Sequence, residues 1–489
     1  MRKKYINMRK KNWKNIALFA LSMGALCSCG GGSGVSLEKG KQIFEGNNIY
    51  FETGTSENVS AKVEIPEAIQ SVKCGRTEAQ KGEYCYEDGI LTLSHEFLAK
   101  INSTGEKSIV VAMSKGKVTL SALIATKIVK TAEDFVAIGK DSVSLQGSYV
   151  LANDIDLSSI ENFEPLGWYT DEADPNNAYF HGLLEGNGHA VKNAKVYYAD
   201  SVSSNYNVYS KTGTMFEHEG HTAGDNIGLF QVIGSSGIVR NTRFEDIKVR
   251  GRTICGVIAG NVMGTIENCY VANSCSVEMG THFYDDDCNM GGVAGICAGS
   301  GNIHNVISEV TNLQLGSRGG DTVGGVTIEK AGIYVDFDDK YKGETGNGWD
   351  HGDPKDKDTN AWWKYCAVDR DALDGSGKAL DSNGSQSNGI YAFAGKTWGT
   401  IENCVSRSFQ ITPMDGKLRP VNFSHTHLPA NKPTSGDAPL GTLSNNQLLD
   451  NAGLKVAANY SAFDANKWNI QDGKVPTLKS AYSFVALAE

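Results

Sequence analysis

The chain has 489 residues, with 46 lysines and arginines against 56 aspartates and glutamates, a formal charge of -10. That acid excess excludes a nucleic-acid binder, because such proteins present basic surfaces. The length implies two or more domains.

The first segment carries Arg2, Lys3, Lys4, Arg9, Lys10, Lys11 and Lys14 and no acid. An apolar run from Ile16 to Leu26 follows. It is too short to span a bilayer, which takes about 20 apolar residues, but suits the core of a signal peptide. Leu26-Cys27-Ser28-Cys29 then leads into Gly30-Gly31-Gly32-Ser33-Gly34. This resembles the lipobox of bacterial lipoproteins, in which a small residue, here Ser28, precedes the cysteine that becomes the lipidated N-terminus. The resemblance implies more than one acyl chain on Cys29, and stable anchoring needs two. Residues 1–28 are expected to be removed, and 29–37 to form a flexible tether. The loss takes seven basic residues and no acid, so the mature charge becomes -17. The expected location is the outer membrane and cell surface, with the membrane as partner through Cys29.

Residues 38–128 read as a small immunoglobulin-like β-sandwich. Short strand candidates at 49–51, 59–65, 90–93, 108–113 and 117–122 are separated by turn signals. Tyr86-Glu87-Asp88-Gly89-Ile90-Leu91-Thr92-Leu93 resembles modules common in bacterial surface proteins, where they act as spacers. Cys74 and Cys85 lie in this segment and are candidates for a disulfide, since an exported environment is oxidising. Nine cysteines remain after Cys27 and Cys29, with no C-x-x-C spacing. Zinc is therefore not expected, and most of the set reads as small hydrophobes.

From 129 onward the sequence repeats. Gly264-Thr265-Ile266-Glu267-Asn268-Cys269 recurs letter for letter as Gly399-Thr400-Ile401-Glu402-Asn403-Cys404. Gly237-Ile238-Val239-Arg240-Asn241 and Gly301-Asn302-Ile303-His304-Asn305 are looser copies. A glycine-rich apolar stretch precedes each, and the distances Gly228–Asn241, Gly256–Asn268, Gly292–Asn305 and Gly389–Asn403 are 13, 12, 13 and 14 residues. Thr265 to Val271 alternates like a single strand, placing Ile266, Asn268 and Tyr270 on one face and Glu267, Cys269 and Val271 on the other. Strand repeats that cannot bury a face alone must stack. The predicted fold is therefore all-β: a right-handed parallel β-helix, a solenoid, over 129–440. Asn241, Asn268, Asn305 and Asn403 are expected to form a side-chain ladder at one corner, with solvent-facing turns as the alternative.

The glycine-apolar-alanine-glycine stretch and its following strand resemble the GLUG motif, which occurs in many bacterial surface proteins and beside the protease domain of some IgA-cleaving metallopeptidases. Thr131 to Phe135, Tyr149 to Leu157 and Phe180 to His189 resemble the segments that precede the motif. Trp468 to Leu478 resembles its closing segment, so that 441–489 is expected to cap the body. The resemblance covers about residues 129–480 and implies a β-helix on a cell surface. It says little about activity, which resides in sites rather than folds.

An insertion at 336–388 interrupts the repeat with many aspartates and glycines and with Trp349, Trp362 and Trp363. Trp362, Trp363 and Tyr365 are the candidate ligand-binding residues, a stacking platform for sugar rings; packing of the insertion is the alternative. Its aspartates at 350–358 and 369–374 lack the spacing of an EF-hand loop. No cofactor is expected, with calcium the one cation these loops admit, and no metal residue is assigned. Tyr284-Asp285-Asp286-Asp287 lacks the basic partner that a lyase of acidic polysaccharides needs. His218-Glu219-Gly220-His221 places its histidines three apart instead of the four of a zinc peptidase helix, so no catalytic residue is assigned.

The expected function is adhesion or ligand binding without catalysis, with a glycan or host-matrix component as candidate partner. A polysaccharide lyase on the same fold is the alternative. Replacing Cys29 by Ala is expected to leave the precursor unlipidated and move it from the membrane fraction to the soluble one. Fractionation that finds the variant still on membranes places the anchor elsewhere.

Overall fold

The computed structural model describes residues 37–167, 178–196, 226–251, 254–280, 289–316, 322–323, 326–327, 389–411, 419–426 and 441–485. Cys29, the 336–388 insertion with Trp362, Trp363 and Tyr365, the 284–287 acids and the 218–221 loop lie outside those residues. The described chain is all-β, with two short α-helices, His95–Ala99 and Ala132–Val136, and a few single 3-10 turns. No helix among the described residues is long and apolar enough to cross a membrane.

Residues 43–125 form two sheets. Ile43–Glu45, Val59–Lys62, Ile90–Leu93 and Tyr84–Glu87 make a four-stranded sheet; Asn48–Glu52, Gly116–Ala125, Gly105–Met113, Ile69–Cys74 and Thr77–Glu78 make a five-stranded one. Phe51, Leu91, Val111, Leu120 and Ile124, from both sheets, share one apolar cluster with Phe97 and Leu98 of the first helix. Cys74 and Cys85 do not form the expected disulfide. They are buried in different sheets.

Every strand pairing in the five sheets that follow is parallel. The first of these sheets has eight strands: Lys127–Val129, Ser148–Leu151, Leu183–Glu185, Ile238–Arg240, Thr265–Glu267, Asn302–His304, Thr400–Glu402 and Thr442–Ser444. The second has seven, from Ile155–Asp156 through Arg243–Glu245, Tyr270–Val271 and Ile307–Ser308 to Gln447–Leu449. Register is kept across repeats, so that Leu184, Val239, Ile266, Ile303 and Ile401 fall in one column. All five are fully buried in a single apolar cluster shared with Phe230, Phe244 and Phe393. Cys255, Cys269, Cys275, Cys297 and Cys404 belong to the same cluster. Burial pushes the thiols of Cys275 and Cys297 up to about 12, which keeps them protonated and inert.

Glycine at the head of each repeat lets backbones touch. A Cβ on Gly264 would sit 2.3 Å from the carbonyl oxygens of Gly234 and Gly237, and one on Gly399 would sit 2.3 Å from that of Gly301. Asparagine ends the strand. Asn241, Asn268, Asn305, Asn403 and Asn445 all have φ between 49° and 55°, the left-handed region, which asparagine tolerates better than most residues with a Cβ. This turn overturns the reading of Thr265 to Val271 as one strand. Thr265–Glu267 and Tyr270–Val271 belong to different sheets. The left-handed residue resets the alternation, so Ile266, Cys269 and Val271 all point into the core while Glu267 and Tyr270 lie on the outside.

Main-chain bonds hold the asparagine column together. The N–H of Asn241 donates to Glu267 O at 3.2 Å, that of Asn268 to His304 O at 3.2 Å, that of Asn305 to Glu402 O at 3.2 Å and that of Asn403 to Ser444 O at 3.0 Å. Amide-to-amide bonding is seen where Asn445 Nδ2 donates to Asn403 Oδ1 at 2.7 Å. Elsewhere the amides turn to other partners: Asn241 Nδ2 to the Glu185 carboxylate, and Asn268 Oδ1 to the indole N–H of Trp468.

The C-terminal segment begins inside the stack, since Thr442–Ser444 and Gln447–Leu449 are the last strands of the two long sheets. Leu454, Tyr460, Phe463, Trp468 and Leu478 then bury Ile307 and Val405 of the second sheet. The chain finally returns to Ile43–Glu45. Ser483 O accepts from Glu45 N at 2.8 Å, and Val485 N donates to Ile43 O at 2.8 Å.

Backbone geometry makes Asn305 a test of this corner. Asn305→Gly is expected to keep its stability within about 0.5 kcal/mol, whereas Asn305→Val loses about 1–2 kcal/mol. Equal midpoints for the two variants in chemical denaturation would count against a conformational role.

Candidate binding cleft

The last residues of Leu183–Glu185, Ile238–Arg240, Thr265–Glu267 and Asn302–His304 point outward from the first long sheet. Glu185, Arg240, Glu267 and His304 are consecutive register partners, one strand spacing of about 4.7–4.9 Å apart. At the start of the sheet the outward side chains are apolar, and Val150, Leu183 and Ile238 pack on the N-terminal sheets. Beyond them the column enters a cleft of about 670 Å³. Its walls are the Gly105–Met113 and Gly116–Ala125 hairpin on one side, the asparagine corner on another, and Asp464, Lys467, Ala481 and Tyr482 of the C-terminal segment on the third.

Glu185 is 1% exposed and fully engaged. Arg240 Nε donates to it at 2.8 Å, Asn241 Nδ2 at 2.9 and 3.0 Å, and the Asn187 N–H at 2.8 Å. Asn187 Oδ1 in turn accepts from the Tyr482 N–H at 2.8 Å, which ties the C-terminal return to the stack. Arg240 Nη2 reaches across the cleft to Glu106 of the hairpin at 2.5 Å. Burial opposes the charge on Arg240, but Glu185 and Glu106 outweigh it and push the guanidinium pKa up. Burial, reinforced by Glu185, likewise raises the Tyr482 phenol. Further along, His304 Nε2 lies 3.3 Å from the Glu267 carboxylate, and Asn305 Nδ2 lies 3.4 Å from His304 Nδ1. The amide oxygens of Asn241 and Asn305 are buried and find no donor among the described residues.

A second ionic cluster lies on the other long sheet. Asp154 accepts from Ala190 N at 2.9 Å and faces Arg243 at 3.3 Å and His189 at 3.5 Å. Burial opposes the Asp154 charge, yet the Ala190 N–H and Arg243 hold the carboxyl below its usual range. Burial also lowers His189, against the pull of Asp154. These groups pin the early strands of the stack together.

Of the residues singled out in the sequence, Asn241, Asn268 and Asn305 line the cleft, and Asn403 lies one strand further along the column. The candidate platform Trp362, Trp363 and Tyr365 is outside the described residues. Sequence reasoning missed Glu185, Arg240, Glu267 and His304, although three of them directly precede a repeated asparagine. It also missed Asn445, in Gly441-Thr442-Leu443-Ser444-Asn445, a further copy of the repeat. No group of three histidine, cysteine or acidic side chains among the described residues is placed to hold a metal.

Over 142 residues, 28% of its length, the chain is 30% identical to Halomucin of Haloquadratum walsbyi. The matched part is 1% of Halomucin, so the chain spans about a hundredth of that protein. No family model and no solved structure matches the chain.

The Arg240 network predicts unequal losses. Arg240→Ala strands the buried Glu185 and is expected to lose about 3–5 kcal/mol. Glu106→Ala removes a partner that is 64% exposed and is expected to lose no more than about 1 kcal/mol. Comparable shifts in denaturation midpoint would mean that Glu185 does not depend on Arg240.

Proposed function

We propose that the five parallel sheets are the faces of a right-handed β-helix of the GLUG type, carried at a bacterial cell surface by a lipid on Cys29. On this reading the two-sheet N-terminal body is an immunoglobulin-like spacer, and the protein binds a ligand, a glycan or a host-matrix component, without transforming it. Parallel strands in unbroken register support the solenoid, since each repeat then covers the apolar face of the one before. The right hand follows from the preference of parallel crossovers.

The pairing of the cleft's charges carries the non-catalytic reading. Arg240 serves Glu185 and Glu106, and Glu185 has no lone pair facing solvent to act as a base. General acid–base work needs a group free to take or give a proton at the substrate.

One observation favours the second reading, a carbohydrate-active enzyme of the polysaccharide lyase type. His304 and Glu267 sit within one cleft beside Arg240, which gathers a base, a carboxylate and a cation on one face. Incubation of the purified chain with pectin, alginate and hyaluronan separates the two. The expected outcome is retention on immobilised glycans with no growth of ultraviolet absorbance. A steady rise in absorbance from unsaturated sugar ends, abolished by His304→Ala, would establish the enzyme instead.

A further inference from the structure

We infer that the cleft at the seam of the three segments takes a short neutral oligosaccharide, an inference that rests on the ligand-binding reading above and names its site and ligand class. A cleft of about 670 Å³ lies within the range of small-ligand pockets, about 300–1,000 Å³. Four carboxylate side chains and three lysine or arginine side chains line it, so neither sign is in clear excess. An anionic ligand would meet Glu267 and Asp464, and a cationic one Lys467 and Arg240. An apolar ligand would strip water from all of them without replacing a hydrogen bond. A hydroxyl group does neither, because it donates and accepts at once.

The wall offers both halves of that exchange. Asn241 is 2% exposed and its Nδ2 is held by Glu185, so it fixes the corner and leaves the ligand to its neighbours. Asn268 gives its amide oxygen to Trp468 at 3.3 Å, which turns the amide N–H groups away from that contact as donors. Beside it the partly exposed Glu267 carboxylate accepts along the neighbouring column. Both columns repeat once per strand, about 4.7–4.9 Å apart, so donors and acceptors recur along the stack axis. A chain of sugar rings presents hydroxyls with the same kind of regular recurrence. The ligand class thus follows from hydrogen-bonding capacity and charge balance together.

The full chain in detergent should be titrated calorimetrically with maltohexaose, cellohexaose and xylohexaose as neutral probes, and with a hexagalacturonate as an acidic one. Histidine imidazole NMR signals should be followed in parallel, the His304 signal being assigned by its loss in His304→Gln. The expected result is binding of at least one neutral hexaose, with movement of the His304 signal. Glu267→Gln and Asn268→Ala should each weaken that binding roughly tenfold, the equivalent of one good hydrogen bond, while thermal midpoints show that both variants fold. Using two variants keeps the test intact should one of them fail to fold. Hydrolysis or elimination of a bound neutral hexaose would support the cleft and sink the non-catalytic reading. Neutral binding that neither variant weakens would overturn the cleft while leaving the ligand-binding reading in place. Binding of the hexagalacturonate alone, or of no hexaose, would overturn the inference. Retention of the same preparation on immobilised glycans then shows whether the broader reading fails with it.

Discussion

Unbroken register depends on one backbone conformation at one repeated position. A left-handed residue closes each strand of the first long sheet from Asn241 to Asn445, and its N–H reaches the carbonyl just before the next asparagine in the column. Asparagine supplies that conformation without the entropy that glycine loses on folding. A residue confined to negative φ would run the strand straight on. The chain would then not turn into the second long sheet, and Cys269 and Val271 would swing out of the core they share with Ile266. The apolar columns are therefore a consequence of the corner as much as its cause.

The same constraint sets the surface. Once the corner is fixed, the residue before it must point outward, and in-register stacking places its equivalents directly above and below. Like charges in such a column repel and opposite charges attract. Glu185, Arg240 and Glu267 obey that rule, and His304 follows next to Glu267. Burying Glu185 is tolerable because Arg240, the Asn241 amide and the Asn187 N–H together saturate its oxygens. Arg240 then has a hand left for Glu106, and the hairpin of the N-terminal body is tied to the stack by a charge already fixed in place.

The repeat, its glycine and asparagine punctuation and the all-β class were legible in the sequence, because backbone geometry forces those residue types locally. The path through the corner was not. Strict alternation from Thr265 to Val271 is what a continuous strand would show, and only the positive φ at Asn268 reveals that two short strands share it. Asn445 was hidden by substitution: Leu443 and Ser444 stand where Ile401 and Glu402 do, yet the glycine and asparagine that the geometry demands are intact. In the earliest copy, Gly182-Leu183-Leu184-Glu185-Gly186-Asn187, the left-handed asparagine falls one place later than in the others. The spacing of Cys74 and Cys85 was compatible with pairing, but spacing says nothing about which sheet each strand joins.

The cleft was illegible for a deeper reason. Glu106 lies 134 residues from Arg240, and the Tyr482 N–H bonds an asparagine 295 residues earlier. No local motif can announce a site whose walls come from the first body, the stack and the returning C-terminal segment. Each wall has its own local reason to exist: a hairpin, a corner column and a C-terminal return bridged to Ile43–Glu45. Their outward faces meet because Val150, Leu183 and Ile238 pack on the N-terminal sheets, and because the C-terminal segment covers Ile307 and Val405 and then crosses back to those sheets. Any ligand held at such a seam would be linked to assembly, since the bonds from Tyr482 to Asn187 and from Arg240 to Glu106 join the walls. A ligand that bridges those walls binds only the closed arrangement, and by mass action it must stabilise the contacts that close it.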